Sequence, residues 1–128
     1  MKIFMIADDS PVIRKVAHRI IEDMGFIVVE AADGIEAQAI CASNMPDGIL
    51  IDWEMPGMDS LELVHWLKMH PGAQNTKILF CTSEVNVPLM ARAKRNGAHN
   101  FLLKPFNRAM IAAKFAEVGL LADAPQAA

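Results

Sequence analysis

The sequence lacks the features that define several large classes of protein. Its two cysteines, Cys41 and Cys81, lie far apart and form no CxxC pair, which argues against a disulfide framework or a structural zinc site. No apolar run approaches the roughly 18 residues of a membrane span, and the N-terminus shows no signal-peptide pattern. The glycine-rich motifs GxGxxG and GxxxxGKS/T are absent, which argues against a nucleotide cofactor. We therefore expect a reduced, cytoplasmic protein without membrane insertion.

The chain also lacks an excess of positive charge. Its 12 basic and 15 acidic residues give a net charge of −3, which argues against a protein built to coat nucleic acid. The 128 residues, 53% hydrophobic and 21% charged, fit one globular domain. We expect this domain to cover residues 1–121, followed by a short C-terminal tail at 122–128. With no output domain after it, direct DNA binding is not expected.

Two periodicities alternate along the chain. Short, nearly continuous apolar runs predict strands buried on both faces of a parallel sheet, at residues 2–7, 27–31, 48–51, 77–81 and 100–103. Amphipathic segments predict helices from residue 11 to about 24, at 33–44, at 60–70, at about 87–96, and after Asn107. Five βα units in succession predict an α/β fold with a doubly wound, five-stranded parallel sheet. Ligands of such sheets bind at the carboxyl ends of the strands.

Polar residues with compatible chemistry follow four of these runs. Asp8 and Asp9 follow the first, Asp52 the third, Thr82 the fourth and Lys104 the fifth. Three carboxylates at one rim repel each other unless a cation joins them, and hard divalent ions prefer oxygen ligands. We therefore predict a site for Mg²⁺ (or Mn²⁺). One carboxylate could then attack a phosphoryl group, held by the hydroxyl and the ammonium group.

These residues, with Met55-Pro56-Gly57-Met58-Asp59 and Lys104-Pro105-Phe106, resemble the receiver domain of bacterial response regulators. The resemblance covers about residues 2–121 and implies a flavodoxin-like fold with strand order 2-1-3-4-5. Because no output domain follows, the chain is similar to the single-domain, CheY-like members. One departure is Ser60, which stands where the family usually has glycine.

The resemblance also implies roles for the site residues. Asp52 would be the phosphoacceptor, receiving the phosphoryl group from a phosphohistidine. Mg²⁺ would be held by Asp52, by Asp9 directly, by Asp8 chiefly through water, and by the backbone carbonyl of Glu54. Glu54 and Glu84 would flank the phosphoryl group and influence how fast water removes it.

Further implied roles concern the switch. Lys104 would contact the phosphoryl group, and its peptide bond to Pro105 would be cis. The Thr82 hydroxyl would move towards the phosphate, and the ring of Phe101 would follow inward. Since Phe101 has no hydroxyl, we expect recognition there to be apolar.

Two surfaces are candidates for partner binding. The first is the basic face of the first helix, on which family members dock histidine kinases: Arg14, Lys15, His18 and Arg19. The second is the face formed by the fourth helix, fifth strand and fifth helix, which includes Val87, Met90, Phe101 and Arg108. A solvated helix face and core filling are the alternative interpretations of these residues.

We therefore expect a phosphorylation-dependent binding switch, in chemotaxis or another signalling relay, rather than an enzyme with a separate substrate. Its partners would be a sensor histidine kinase or histidine phosphotransfer protein and a downstream target protein. The chain would be a monomer or a weak, phosphorylation-dependent dimer. Two alternatives stay open, a phosphate-independent pseudo-receiver and a phosphorelay shuttle or phosphate sink. An aspartyl-phosphate hydrolase is disfavoured because such enzymes usually carry a second Asp where this chain has Glu54.

Overall fold

Strands and helices alternate along residues 2–121, the part of the chain that this computed structural model describes. The strands are β1 (Ile3–Ala7), β2 (Ile27–Ala31), β3 (Gly48–Asp52), β4 (Lys77–Thr82) and β5 (Asn100–Leu103). The helices are α1 (Pro11–Asp23), α2 (Gly34–Ser43), α3 (Ser60–Met69), α4 (Val87–Arg95) and α5 (Arg108–Glu117), with a short 3₁₀ turn at Pro71–Ala73. The tail predicted at 122–128 lies outside the described residues.

The strands form one parallel sheet in the order β2-β1-β3-β4-β5. This confirms the predicted flavodoxin-like (βα)5 fold. The strand order reverses direction between β1 and β3, which are hydrogen-bonded neighbours. In open parallel sheets this reversal leaves a crevice at the carboxyl ends of the strands, so β1 and β3 are where a ligand is expected.

Helices cover both faces of the sheet. On one face, α2, α3 and α4 pack against the sheet, and the core between them includes Leu63, Leu67 and Phe80. The other packs α1 and α5 and contains an aromatic group in which Phe4 and Phe115 have ring centroids 4.6 Å apart. None of the helices within residues 2–121 has both the length and the apolar character needed to cross a bilayer.

The element boundaries agree with local sequence signals. The Ser10 side chain caps α1 by accepting a hydrogen bond from the N–H of Ile13, and Asn107 caps α5 in the same way. Gly25 ends the first helical segment with a φ of +97°, a conformation that glycine adopts readily. Asp52 and Thr82 differ slightly from expectation. They are the last residues of their strands rather than the first after them, because Asp52 pairs with Cys81 and Thr82 with Leu103.

Candidate metal and phosphoryl site

An acidic cluster lies where β1 and β3 end. Asp8 and Asp9 follow β1 directly, Asp52 closes β3, and each offers one carboxylate oxygen within 4.8 Å of the other two. Asp8 and Asp52 are 3% and 6% exposed, whereas Asp9 is exposed to solvent. The parallel pairing of β1 with β3 thus brings together carboxylates that are far apart in the sequence.

Lys104, just beyond β5, supplies the positive charge at the cluster. Its Nζ lies 2.9 Å from Asp8 Oδ2 and 3.2 Å from Asp52 Oδ1. Burial lowers the pKa of Lys104, but the hydrogen bonds and negative charges of Asp8 and Asp52 outweigh it and leave that pKa raised. The ammonium group is therefore firmly protonated. It also reaches both buried carboxylates at once.

The pKa of Asp52 is raised from 3.8 to about 6. Burial is the largest cause and the charge of Asp8 the next, while Lys104 opposes both and Asp9 adds a smaller upward effect. The single positive charge of Lys104 thus does not balance the negative charge of the three carboxylates. A second positive charge at this rim would lower the free energy of the ionised cluster.

The donor set fits a hard divalent cation. Three carboxylates supply oxygen ligands, two of them come from buried positions, and the exposed side of Asp9 leaves room for water. Mg²⁺ in proteins is held by one or two carboxylates with several waters retained. Asp8, Asp9 and Asp52 are therefore the residues that could hold it.

A cleft of about 530 Å³ opens above the cluster. Most of the predicted site residues line it. The lining comprises Asp9, Asp52, Trp53, Glu54, Thr82, Ser83, Glu84, Asn86, Leu89, Met90 and Lys104. The side chains of Glu54 and Glu84 are exposed at its margin. Asp52 therefore lies at the base of a cleft that is open to a small molecule from the solvent.

The two predicted switch residues are in different situations. Thr82 Oγ1 donates to the carbonyl of Glu84 at 3.1 Å and accepts from the N–H of Glu84 at 3.2 Å, so this hydroxyl is engaged with the loop after β4. The side chain of Phe101 is only 8% exposed and its ring stacks on Phe80, with centroids 6.4 Å apart. The ring that was expected to move inward is thus already buried. An apolar side chain without a hydroxyl gains nothing from remaining at the surface.

The peptide bond between Lys104 and Pro105 is cis, as the resemblance implies. It stands directly after β5. The neighbouring Cys81 is fully buried, and burial raises the pKa of its thiol to about 12, so it is unreactive.

Ser60, the first residue of α3, holds the end of β3, the strand that closes with Asp52. Its hydroxyl lies 2.7 Å from the carbonyl oxygen of Asp52 and 3.0 Å from that of Trp53, and the residue is 3% exposed. The sequence indicated Ser60 only as a departure from the family. Its contact with the backbone of Asp52 could not be predicted, because it depends on how the loop between β3 and α3 folds back.

The basic face predicted on α1 divides into two parts. Lys15 and Arg19 are exposed, as a docking surface requires. The side chain of Arg14 is only 17% exposed, and both Arg14 and His18 contact Glu30 on β2, at 3.0 and 2.7 Å. The ion-pair partner was missed in the sequence, although a glutamate inside a buried strand run was the available signal.

The second predicted surface is also divided. Val87 is 69% exposed, and Arg108 is exposed in a long ion pair of 3.6 Å with Asp23 of α1. Met90 is half-buried against the core, and Phe101 is buried. These last two contribute little to an external surface in this conformation, because their side chains fill space under α4.

The fold and the acidic cluster define a class of signalling domain. Residues 4–116 match the response regulator receiver domain, and the chain belongs to that family. Among its relatives is the chemotaxis protein CheY of Pseudomonas aeruginosa, 28% identical over 119 residues that cover 92% of this chain and 95% of the relative. The chemotaxis protein CheY-3 of Vibrio cholerae is also 28% identical, with 92% and 91% covered. The solved structure of Vibrio cholerae CheY4 superimposes with a TM-score of 0.87 at 33% identity, covering 92% of this chain and 98% of that one.

Proposed function

We propose that this chain is a phosphorylation-dependent signalling switch. Asp52 accepts a phosphoryl group from the phosphohistidine of a sensor histidine kinase or a histidine phosphotransfer protein, in a reaction that requires Mg²⁺. The observation that carries the proposal is the acidic cluster itself. Carboxylate oxygens of Asp52, Asp8 and Asp9 lie within 4.8 Å of one another, and Lys104 Nζ lies 3.2 Å from Asp52 Oδ1.

The transfer step is a substitution at phosphorus. A carboxylate oxygen of Asp52 forms a bond to phosphorus while the bond from phosphorus to the histidine nitrogen breaks, and the electron pair of that bond stays on the imidazole. Mg²⁺, when bound, neutralises negative charge on the phosphoryl oxygens. Lys104, whose Nζ lies 3.2 Å from Asp52 Oδ1, would donate hydrogen bonds to those oxygens, and Asp8 and Asp9 would hold the metal.

The hydroxyl of Thr82 connects the site to the rest of the molecule. It lines the same cleft as Asp52 and is held by two hydrogen bonds to the backbone of Glu84. Turning this hydroxyl towards a phosphoryl oxygen breaks both hydrogen bonds, so the loop before α4 must rearrange. We propose that this alters the face formed by α4, β5 and α5, where a downstream protein binds. That the relatives are named chemotaxis proteins supports a role in signal transduction.

Intact-mass measurement after incubation with Mg²⁺ and a small acyl phosphate tests the proposal. Wild type should gain one phosphoryl group, and Asp52→Asn should gain none. Asp59→Asn is the matched control, because Asp59 is exposed and makes no side-chain capping hydrogen bond. It should be modified like wild type.

Two results would contradict the proposal. A wild type that binds Mg²⁺ but gains no phosphoryl group would favour a phosphate-independent scaffold. An adduct of equal yield when Mg²⁺ is chelated would remove the metal from the reaction.

A further inference from the structure

One side chain outside the acidic cluster holds the backbone between two of its members. Arg14 Nη1 on α1 donates a hydrogen bond of 2.7 Å to the backbone carbonyl of Asp8. That carbonyl belongs to the peptide group that leads into Asp9. The orientation of this peptide group fixes where the Asp9 side chain starts, because the chain has only two soft dihedral angles per residue.

The other polar groups of Asp8 are held by different partners. Its N–H donates to the carbonyl of Ala31 at 3.1 Å, and its Oδ1 accepts from the N–H of Ser10 at 2.9 Å. Its Oδ2 contacts Lys104. Within residues 2–121 the donor to its carbonyl is Arg14, so this side chain holds the one polar group of Asp8 that Ala31, Ser10 and Lys104 do not.

Arg14 is itself oriented by a second charge. Its Nε donates to Glu30 Oε1 at 3.0 Å, and the other oxygen of Glu30 lies 2.7 Å from His18 Nδ1. Glu30 stands on β2 opposite Ile6 of β1, so it is fixed by the sheet. Charge-assisted hydrogen bonds to a planar guanidinium group constrain its direction as well as its position.

We propose that Arg14 is a positioning residue for the metal site, which fixes the peptide between Asp8 and Asp9 so that their carboxylates meet Asp52. The inference rests on the function proposed above. It also changes the assignment of the α1 face, since the guanidinium of Arg14 is committed to Glu30 and Asp8. The basic groups left for a docking partner are those of Lys15 and Arg19, both of which are exposed.

Positioning and simple electrostatics predict opposite results when Arg14 is replaced. Removing a positive charge near a cation site should strengthen Mg²⁺ binding if charge alone matters. Losing the hydrogen bond to the Asp8 carbonyl should weaken it, because residues that orient metal ligands typically contribute about 10- to 100-fold to metal affinity. The direction of the change therefore separates the two explanations.

The test is Mg²⁺ titration by calorimetry on wild type, Arg14→Gln and Arg14→Lys, with urea unfolding to verify that each variant is folded. We expect Arg14→Gln to bind Mg²⁺ about tenfold more weakly. Arg14→Lys keeps the charge but cannot donate to Glu30 and Asp8 through one planar group, so it should also bind more weakly. At saturating Mg²⁺ the phosphorylated fraction should recover in both. Arg92→Gln, the same change at an exposed position on α4, should leave the affinity unaltered.

Glu30→Gln provides a second route to the same conclusion. It removes the charge that orients Arg14, so it should weaken Mg²⁺ binding. In the double variant with Arg14→Gln, it should cause little further loss of Mg²⁺ affinity. Folded Arg14 variants that bind Mg²⁺ as tightly as wild type, or more tightly, would overturn the inference. A wild type that does not bind Mg²⁺ would overturn both this inference and the metal requirement. Loss of affinity with normal acceptor chemistry at saturating Mg²⁺ would leave the proposed function intact.

Discussion

Replacing the proposed acceptor should stabilise the metal-free protein. Asp52 is buried beside Asp8, and its pKa is raised from 3.8 to about 6, mainly by burial and then by that neighbouring charge. At neutral pH the folded protein must hold this carboxylate in its ionised form. Asp52→Asn keeps the shape of the side chain and removes the charge.

The raised pKa sets the size of the effect. A carboxyl whose pKa rises from 3.8 to about 6 on folding destabilises the fold by about 3 kcal/mol once both states are ionised. Because the cleft is open to solvent and counter-ions, part of this cost is screened. We therefore expect Asp52→Asn to raise the free energy of unfolding by about 1–2 kcal/mol.

The sign and the pH window follow from proton linkage. The folded state holds the Asp52 proton more tightly than the unfolded chain does, so wild-type stability falls as the pH rises from about 4 to about 6. The advantage of Asp52→Asn should therefore be absent near the lower value and complete above the upper one. Mg²⁺ should reduce it, because the cation binds the folded wild type and stabilises it by mass action.

Urea unfolding with a metal chelator, repeated across this pH range, measures the difference directly. Asp59→Asn, the same change at an exposed position, serves as the control, and a gain in stability equal to that of Asp52→Asn would contradict the argument from burial. The reasoning would be refuted if Asp52→Asn were no more stable than wild type above pH 6, or if its advantage did not change with pH.

Three further predictions concern supporting residues. The pKa of His99 is lowered by burial and by two nearby lysines, and its Nδ1 accepts a backbone N–H at 2.9 Å. Wild type should therefore lose stability relative to His99→Asn as the pH falls below 6.5, measured as urea midpoints. Ser60→Ala leaves two backbone carbonyls without their hydroxyl donor and should lower the free energy of unfolding by about 1–3 kcal/mol, measured by urea denaturation. Gly34→Ala places a Cβ 2.7 Å from that of Met58. It should lower the free energy of unfolding by about 1–3 kcal/mol, measured by thermal denaturation.

Each of these predictions has a matched control and a contradicting result. His65→Asn, the same change at an exposed position on α3, is the first control, and equal pH profiles for the two histidine variants would contradict the first prediction. Ser43→Ala, at an exposed position, should cost less than Ser60→Ala, and equal losses would refute a special role for the buried hydroxyl. Gly72→Ala meets only a histidine ring at 3.3 Å, so a comparable loss there would contradict the steric argument for Gly34.

Much of the fold could be predicted because each element carries its own signal. The buried parallel strands are continuous apolar runs, and their helices have polar caps such as Ser10 and Asn107. The acidic cluster was predictable too, since the ends of parallel strands meet at one edge of the sheet. That rule is sufficient to place Asp8 and Asp52 together, and their carboxylates do lie within 4.8 Å of each other.

What the sequence could not predict depends on contacts between elements that are distant in the chain. The hydrogen bond from Arg14 to the Asp8 carbonyl and its ion pair with Glu30 require the packing of α1 against β2. The close approach of Gly34 to the loop after β3 has the same origin. The stacking of the Phe101 ring on Phe80 requires the pairing of β5 with β4, which no local pattern reveals.

The most direct test of the central claim is to locate the phosphoryl group chemically. Borohydride reduces an aspartyl phosphate to homoserine, so treatment of the phosphorylated protein followed by peptide mass analysis identifies the modified residue. The account predicts homoserine at position 52, formed only when Mg²⁺ was present during phosphorylation. Homoserine at Asp8, Asp9 or another carboxylate, or none in a protein that binds Mg²⁺, would contradict it.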